Sequence, residues 1–182
     1  MTIFRMSGAV LDDELGLLEK ILALLDEELF NVKSSIEKSQ DPESDGLLDL
    51  GEFLIGSGFI AVQRYLNATR ADIGMSRDDA YRKQPMFNEG ISMARAINAI
   101  ANYWKHCSDW DEDERNGRRP SETKPSKWTI ADLERMGDLS DYPCSNALAS
   151  MSPRNDLALS NLVSVLIEWR EELWAARSSP AE

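Results

Sequence analysis

The sequence predicts an all-α fold, an up-and-down helical bundle of four long helices plus one or two short helices. Three observations carry that expectation. Leu11, Leu15, Leu18, Leu22, Leu25, Leu29, Val32 and Ile36 recur alternately four and three residues apart, an unbroken heptad seam. Residues 47–70 are apolar almost all round, as a helix central to a bundle must be. No stretch alternates apolar and polar residues in the manner of a half-buried strand, so nothing predicts a sheet. At 182 residues and 42% hydrophobic content, the chain can bury one substantial core as a single domain over residues 1–182.

The first helix is expected from Val10 to Gln40. Leu17, Ile21 and Leu24 widen its stripe beyond a two-stranded seam, which favours burial inside a bundle over an intermolecular coiled coil. Asp41-Pro42-Glu43-Ser44-Asp45-Gly46 is a break. The second helix follows from Leu47 to Arg70. Gly51, Gly56 and Gly58 lower its propensity by up to ~1 kcal/mol each, and are read as close-approach points for a neighbouring helix. Gln63 and Arg64 are polar exceptions, explained by exposure or by a role beside His106. Residues 71–86 form a connector whose Arg77, Arg82 and Lys83 are either solvated or a basic rim that draws in a phosphate.

The third helix begins near Met86 to Asn88 and runs to about Asp109. Asp111 to Ser126 is polar, contains Gly117, Pro120 and Pro125, and reads as a mobile, solvated loop. Thr129-Ile130-Ala131-Asp132 resembles a capping box that starts a short helix ending at Met136-Gly137. After a turn at residues 141–146 and a helical turn over residues 147–151, Ser152-Pro153 reads as a helix entry. The last helix then runs to about Arg177 along Leu159, Leu162, Leu166, Trp169 and Leu173.

Charge limits the function classes. The net charge of −12 divides into −8 over residues 1–50, +1 over residues 51–110 and −5 over residues 111–182. Acidic ends repel a polyanion, which excludes a broad groove tracking many phosphates but leaves a compact central pocket for RNA or a nucleotide. Cys107 and Cys144 make no disulfide framework, and with one histidine they offer no metal cage, so no cofactor is expected and a cytoplasmic location is. No run reaches the ~20 apolar residues of a membrane span.

The candidate site lies on the third helix. At ~100° per residue, Arg95, Asn98, Asn102, His106 and Asp109 fall within an arc of roughly 80°, opposite Met93, Ile97, Ile100 and Trp104. His106 is the chain's single histidine, the side chain suited to proton transfer near neutral pH. Asn102, one turn earlier, can orient the ring or hold a phosphate oxygen. Asp109 can accept from an imidazole nitrogen. Lys105 and Tyr103 flank the histidine, and Arg64 is a further substrate contact. The competing account is a structural histidine near a helix end.

Ala101-Asn102-Tyr103-Trp104-Lys105-His106 resembles the Arg-Asn-x-x-x-His motif of the HEPN superfamily (higher eukaryotes and prokaryotes nucleotide-binding). Asn102 and His106 match; Ala101 stands where the arginine is expected, and alanine cannot pair with a phosphate. The resemblance implies a helical, metal-independent ribonuclease of a toxin–antitoxin or phage-defence system. His106, Asn102 and Lys105 would then be catalytic, and Arg95, Asn98, Tyr103, Asp109 and Arg64 would contact substrate. It also implies a homodimer through the face of helix 87–109, which would bring Arg95 opposite the partner's His106. The alternative is a catalytically inactive helical adaptor or protein-interaction module.

Overall fold

The computed structural model describes residues 4–6, 9–115, 124–152 and 156–178. The chain is all-α, and its long helices are α1 (Asp13–Ile36), α2 (Leu47–Ile73), α4 (Met93–Arg115) and α7 (Leu162–Ser178). Shorter helices are α3 (Arg77–Ala80), α5 (Lys124–Met136) and α6 (Pro143–Met151), so among the described residues three accompany the four long ones. Among the described residues, two small antiparallel strand pairs, absent from the sequence expectation, join β1 (Phe4–Met6) with β2 (Ala9–Leu11) and β3 (Met86–Asn88) with β4 (Ile91–Ser92). Strands of two or three residues are too short to show an alternating pattern. Among the described residues, no helix is long and apolar enough to cross a membrane.

α2 is the central helix, and Ile55, Phe59, Val62 and Leu66 have no exposure at all. α1 runs antiparallel to it, as the pairings of Arg64 with Glu14 and of Gly51 with Val32 show. α4 is antiparallel on its other side, where Gln63 meets Asn98 and Gly56 meets Trp104. A Cβ at Gly56 would overlap the Trp104 ring, and one at Gly58 would overlap Leu159. Those two glycines are the close-approach points; at Gly51 there is room for a side chain.

Polar groups fasten the elements across long sequence separations. Buried Glu52 of α2 accepts from the backbone amides of Cys144 (2.6 Å) and Ser145 (2.9 Å), capping α6 from another helix. Asp26 does the same for a single 3₁₀ turn at Leu159–Asn161, accepting from Leu159 (2.7 Å) and Ser160 (3.0 Å). Burial, with Glu52 beside it, pushes the Cys144 thiol well above the ordinary range and leaves it unreactive.

Several expected boundaries move. α1 starts at Asp13 because Asp12 caps it, its carboxylate accepting from Leu15 N at 2.9 Å. α4 continues to Arg115 and α5 begins at Lys124, so the expected loop is shorter at both ends, while Gly117 to Pro120 lie outside the described residues. Thr129 is therefore inside α5 and is not its cap. Ser152 ends α6 in extended geometry and bonds Asp156 at 2.8 Å; Pro153 lies outside the described residues, and α7 begins only at Leu162. Leu17, Ile21 and Leu24, expected in the core, are exposed.

Candidate anion-binding cleft on the central helices

The geometry of a helix end builds the site's first wall. Gly74 ends α2 in the left-handed conformation (φ 77°), which an L side chain rarely adopts, and turns the chain back. Ser76 then caps α3, accepting from Asp79 N at 3.2 Å and donating to its carboxylate at 2.6 Å. Trp169 of α7 donates to Ala80 O at 2.9 Å and anchors the far end of α3. Arg77 is thereby held over α4, its guanidinium 5.4 Å from the Tyr81 ring. Ser92, whose hydroxyl donates to Tyr81 O, accepts from Arg95 N at 3.3 Å and starts α4 against this turn.

The walls enclose a cleft of about 580 Å³. Arg77, Asp78, Tyr81 and Arg82 line one side, Arg95, Asn98 and Asn102 of α4 the floor, and Trp128, Thr129 and Asp132 of α5 the other side. Three arginines face two aspartates there, in a chain of net charge −12. Asp132 is already engaged, by Arg95 Nε at 2.8 Å and Arg135 at 2.7 Å. Trp128 stands 66% exposed at the edge, a large aromatic surface.

Below the cleft a chain of amides sets which atoms face it. Lys105 Nζ donates to Gln63 Oε1 at 2.8 Å, and a lysine ammonium can only donate. That orients Gln63, whose Nε2 must donate onward, to Asn98 Oδ1 at 2.8 Å and Asn102 Oδ1 at 2.9 Å. Arg77, another donor-only group, also gives to Asn98 Oδ1 at 2.8 Å. Cations at both ends therefore fix every carboxamide in the chain. Asn98 Oδ1 thereby accepts twice and Asn102 Oδ1 once, so both oxygens are turned to donors within the chain and the NH₂ groups of both residues are left to donate. With Arg95 beside them, the floor is rich in donors.

Lys105 feels this environment. Its partial burial, and then the charge of Arg77, lower its pKa from the usual lysine value. Tyr81 is shifted the opposite way, raised by burial against the opposing pull of Arg77 and Arg70.

The helical face expected from sequence is thus partly assembled. Arg95, Asn98 and Asn102 share the cleft, with Lys105 one hydrogen bond behind it. His106 lies outside the lining, a turn beyond Asn102, with its side chain 54% exposed and Nδ1 3.4 Å from Asp109. It is wet and accessible. Tyr103 packs edge-on against Trp110 at 5.8 Å, away from the cleft. Arg64 points to α1, where it pairs with Glu14 at 2.9 Å, and takes no part. Ala101 is fully buried, so the cations that approach Asn98 and Asn102 come from other positions. Arg95 is held within its own chain by Asp132, and α5 packs along that end of the proposed dimer face.

Sequence reasoning missed Trp128, and it assigned Thr129 and Asp132 to a helix start and not to the cleft. Arg77 and Arg82 were legible as a basic rim, and Gln63 as an out-of-place polar residue. No family model matches the chain, and neither a curated protein nor a solved structure does.

Proposed function

We propose that the cleft binds a phosphate group, and that the chain is a HEPN-like RNA- or nucleotide-binding protein. The observation that carries this reading is the fixed orientation of Asn98 and Asn102, whose oxygens are engaged by Gln63 and Arg77 and whose amide groups are left to donate. An anion accepts from these groups, Arg77 and Arg82 add charge-assisted bonds, and of the two carboxylates in the cleft Asp132 is neutralised by Arg95 and Arg135. Exposed Trp128 at the rim supports the reading, since an aromatic face is what a base stacks on. A small site of this kind is compatible with strong overall acidity, because it neutralises few phosphates.

The resemblance extends the reading from binding to cleavage. His106 would move the proton, Asn102 would hold the phosphodiester, and Lys105 would stabilise charge in place of the missing arginine. Pairing of two copies through this face would bring a second His106 to the same substrate.

Two measurements test it. Adenosine monophosphate and a short single-stranded RNA are titrated while tryptophan emission is followed, with Arg77→Gln as the comparison. Loss of one charge-assisted bond should weaken binding about tenfold or more; equal affinity would remove the cleft from the account. RNA cleavage in the presence of chelator, with and without His106→Ala, then separates a ribonuclease from a binding protein.

A further inference from the structure

α1 and α2 together present a second, very different surface. Leu17, Ile21 and Leu24 of α1 and Leu50, Phe53 and Ile60 of α2 are 36–65% exposed. On each helix these residues recur at three-, four- and seven-residue spacing, so each set forms one row. The pairing of Arg64 with Glu14 places α1's row on the side of that helix nearest α2. It also places Ile60 at the level of Leu17 and Ile21, with Phe53 and Leu50 further along beside Glu28. Phe53 meets Trp104 of α4 edge-on at 5.8 Å, which closes the far side of the face. Two adjacent apolar rows on an antiparallel helical hairpin make a trough that a third helix fits.

The charges around the trough select its occupant. Asp13, Glu27 and Glu28 of α1 and Asp49 of α2 are exposed, and none meets a cation in an ion pair among the described residues. Lys20 is the basic residue beside the row on α1. A second copy of this chain would bring the same carboxylates against one another, and an anionic membrane surface would meet them as like charge.

We propose that this face is a docking site for an amphipathic helix of another protein, one whose apolar side is flanked by lysine and arginine. Apolar side chains of that helix fill the trough, and its basic flanks meet Asp13, Glu27, Glu28 and Asp49. The surface is separate from the cleft and does not depend on what the cleft binds.

The test uses the full chain and a labelled peptide of about five helical turns, leucine along one face and lysine elsewhere, with a leucine–glutamate peptide as control. Anisotropy should show binding of the first peptide and not the second. The paired substitution Ile21→Ser with Leu24→Ser leaves the charge unchanged and should weaken binding about tenfold or more. Undiminished binding by that variant would mean attraction to bulk charge alone and would overturn the proposal. So would a dimer of the chain that the same pair dissolves, since the face would then belong to a second copy. Arg77→Gln should leave peptide binding unchanged, which keeps this outcome distinct from failure of the cleft. Circular dichroism establishes that the serine variant remains folded.

Discussion

Gln63 and Tyr65 stand two residues apart on α2 and serve polar clusters of opposite kind. Tyr65 donates to Asp12 at 2.7 Å, and Asp12 also accepts from Arg170 at 2.7 Å. That cluster is sealed, with the Arg170 and Asp12 side chains 8% and 4% exposed. Burial, the largest single influence, works against the arginine's charge, but its bonds to Asp12 and Glu171 and the neighbouring Tyr65 and Asp12 together outweigh it, so its pKa is raised. Gln63 instead connects Lys105 to two asparagines whose remaining donors border a cleft. The first cluster closes its charges on each other and joins α1, α2 and α7. The second spends its acceptors internally and leaves donors outside. Polar burial by itself therefore does not mark a binding site; the direction in which unspent hydrogen-bonding capacity points does.

The largest expected effect breaks the sealed cluster. Asp12→Ala leaves buried Arg170 with only the partly exposed Glu171 carboxylate at 3.1 Å, its Nε having no partner among the described residues, and removes the cap of α1, so it should destabilise by about 3 kcal/mol. Denaturant unfolding measures this, and a change near zero would mean that the pair contributes little to the fold.

Gln63→Leu should be milder for stability, about 1–3 kcal/mol, because it deprives Asn102 of its donor but leaves Arg77 on Asn98. Its effect on phosphate binding should be comparable to that of Arg77→Gln, since the amides lose their orientation. Arg77→Gln sharpens the contrast: Gln63 still donates to Asn98, so the substitution should alter stability by no more than about 1 kcal/mol while reducing affinity. If Gln63→Leu lowered stability without touching affinity, the open cluster would be structural like the sealed one.

The smallest effect is in pH dependence. Burial and Arg77 hold the Lys105 pKa below the unfolded value of 10.5, so between the two values the unfolded chain binds more protons. Stability contributed by this residue therefore rises with pH through that alkaline window, and is diminished below it where the ammonium is charged in both states. Anion affinity should move the other way, falling as Lys105 loses its charge earlier than a free lysine. Thermal melts and ligand titrations across that window, compared with Lys105→Arg, read both signs; Lys105→Arg should abolish the affinity decline.

Helix existence was legible because it depends on spacing within a single stretch. The four long helices, the centrality of α2 and the file Arg95, Asn98, Asn102 and His106 all follow from periodicity of 3.6 residues. The same reasoning placed Leu17, Ile21 and Leu24 in the core, since a broad apolar stripe announces that a surface wants covering and not which neighbour arrives. The α5 side of the cleft was invisible for a related reason. Arg95 and Asp132 are 37 residues apart, and no spacing rule connects them.

From its residues alone this chain is an all-helical, acidic protein with a polar file on an inner helix, because side-chain periodicity is a local property of the backbone. Tertiary structure decided the rest. It brought Arg77 from a four-residue helix onto Asn98, left His106 outside the cleft, and turned both asparagine oxygens inward. It also left two apolar rows side by side in solvent. Those outcomes depend on which helices meet and at what level, and contacts between distant segments are set by packing of the whole chain rather than by any one stretch of it.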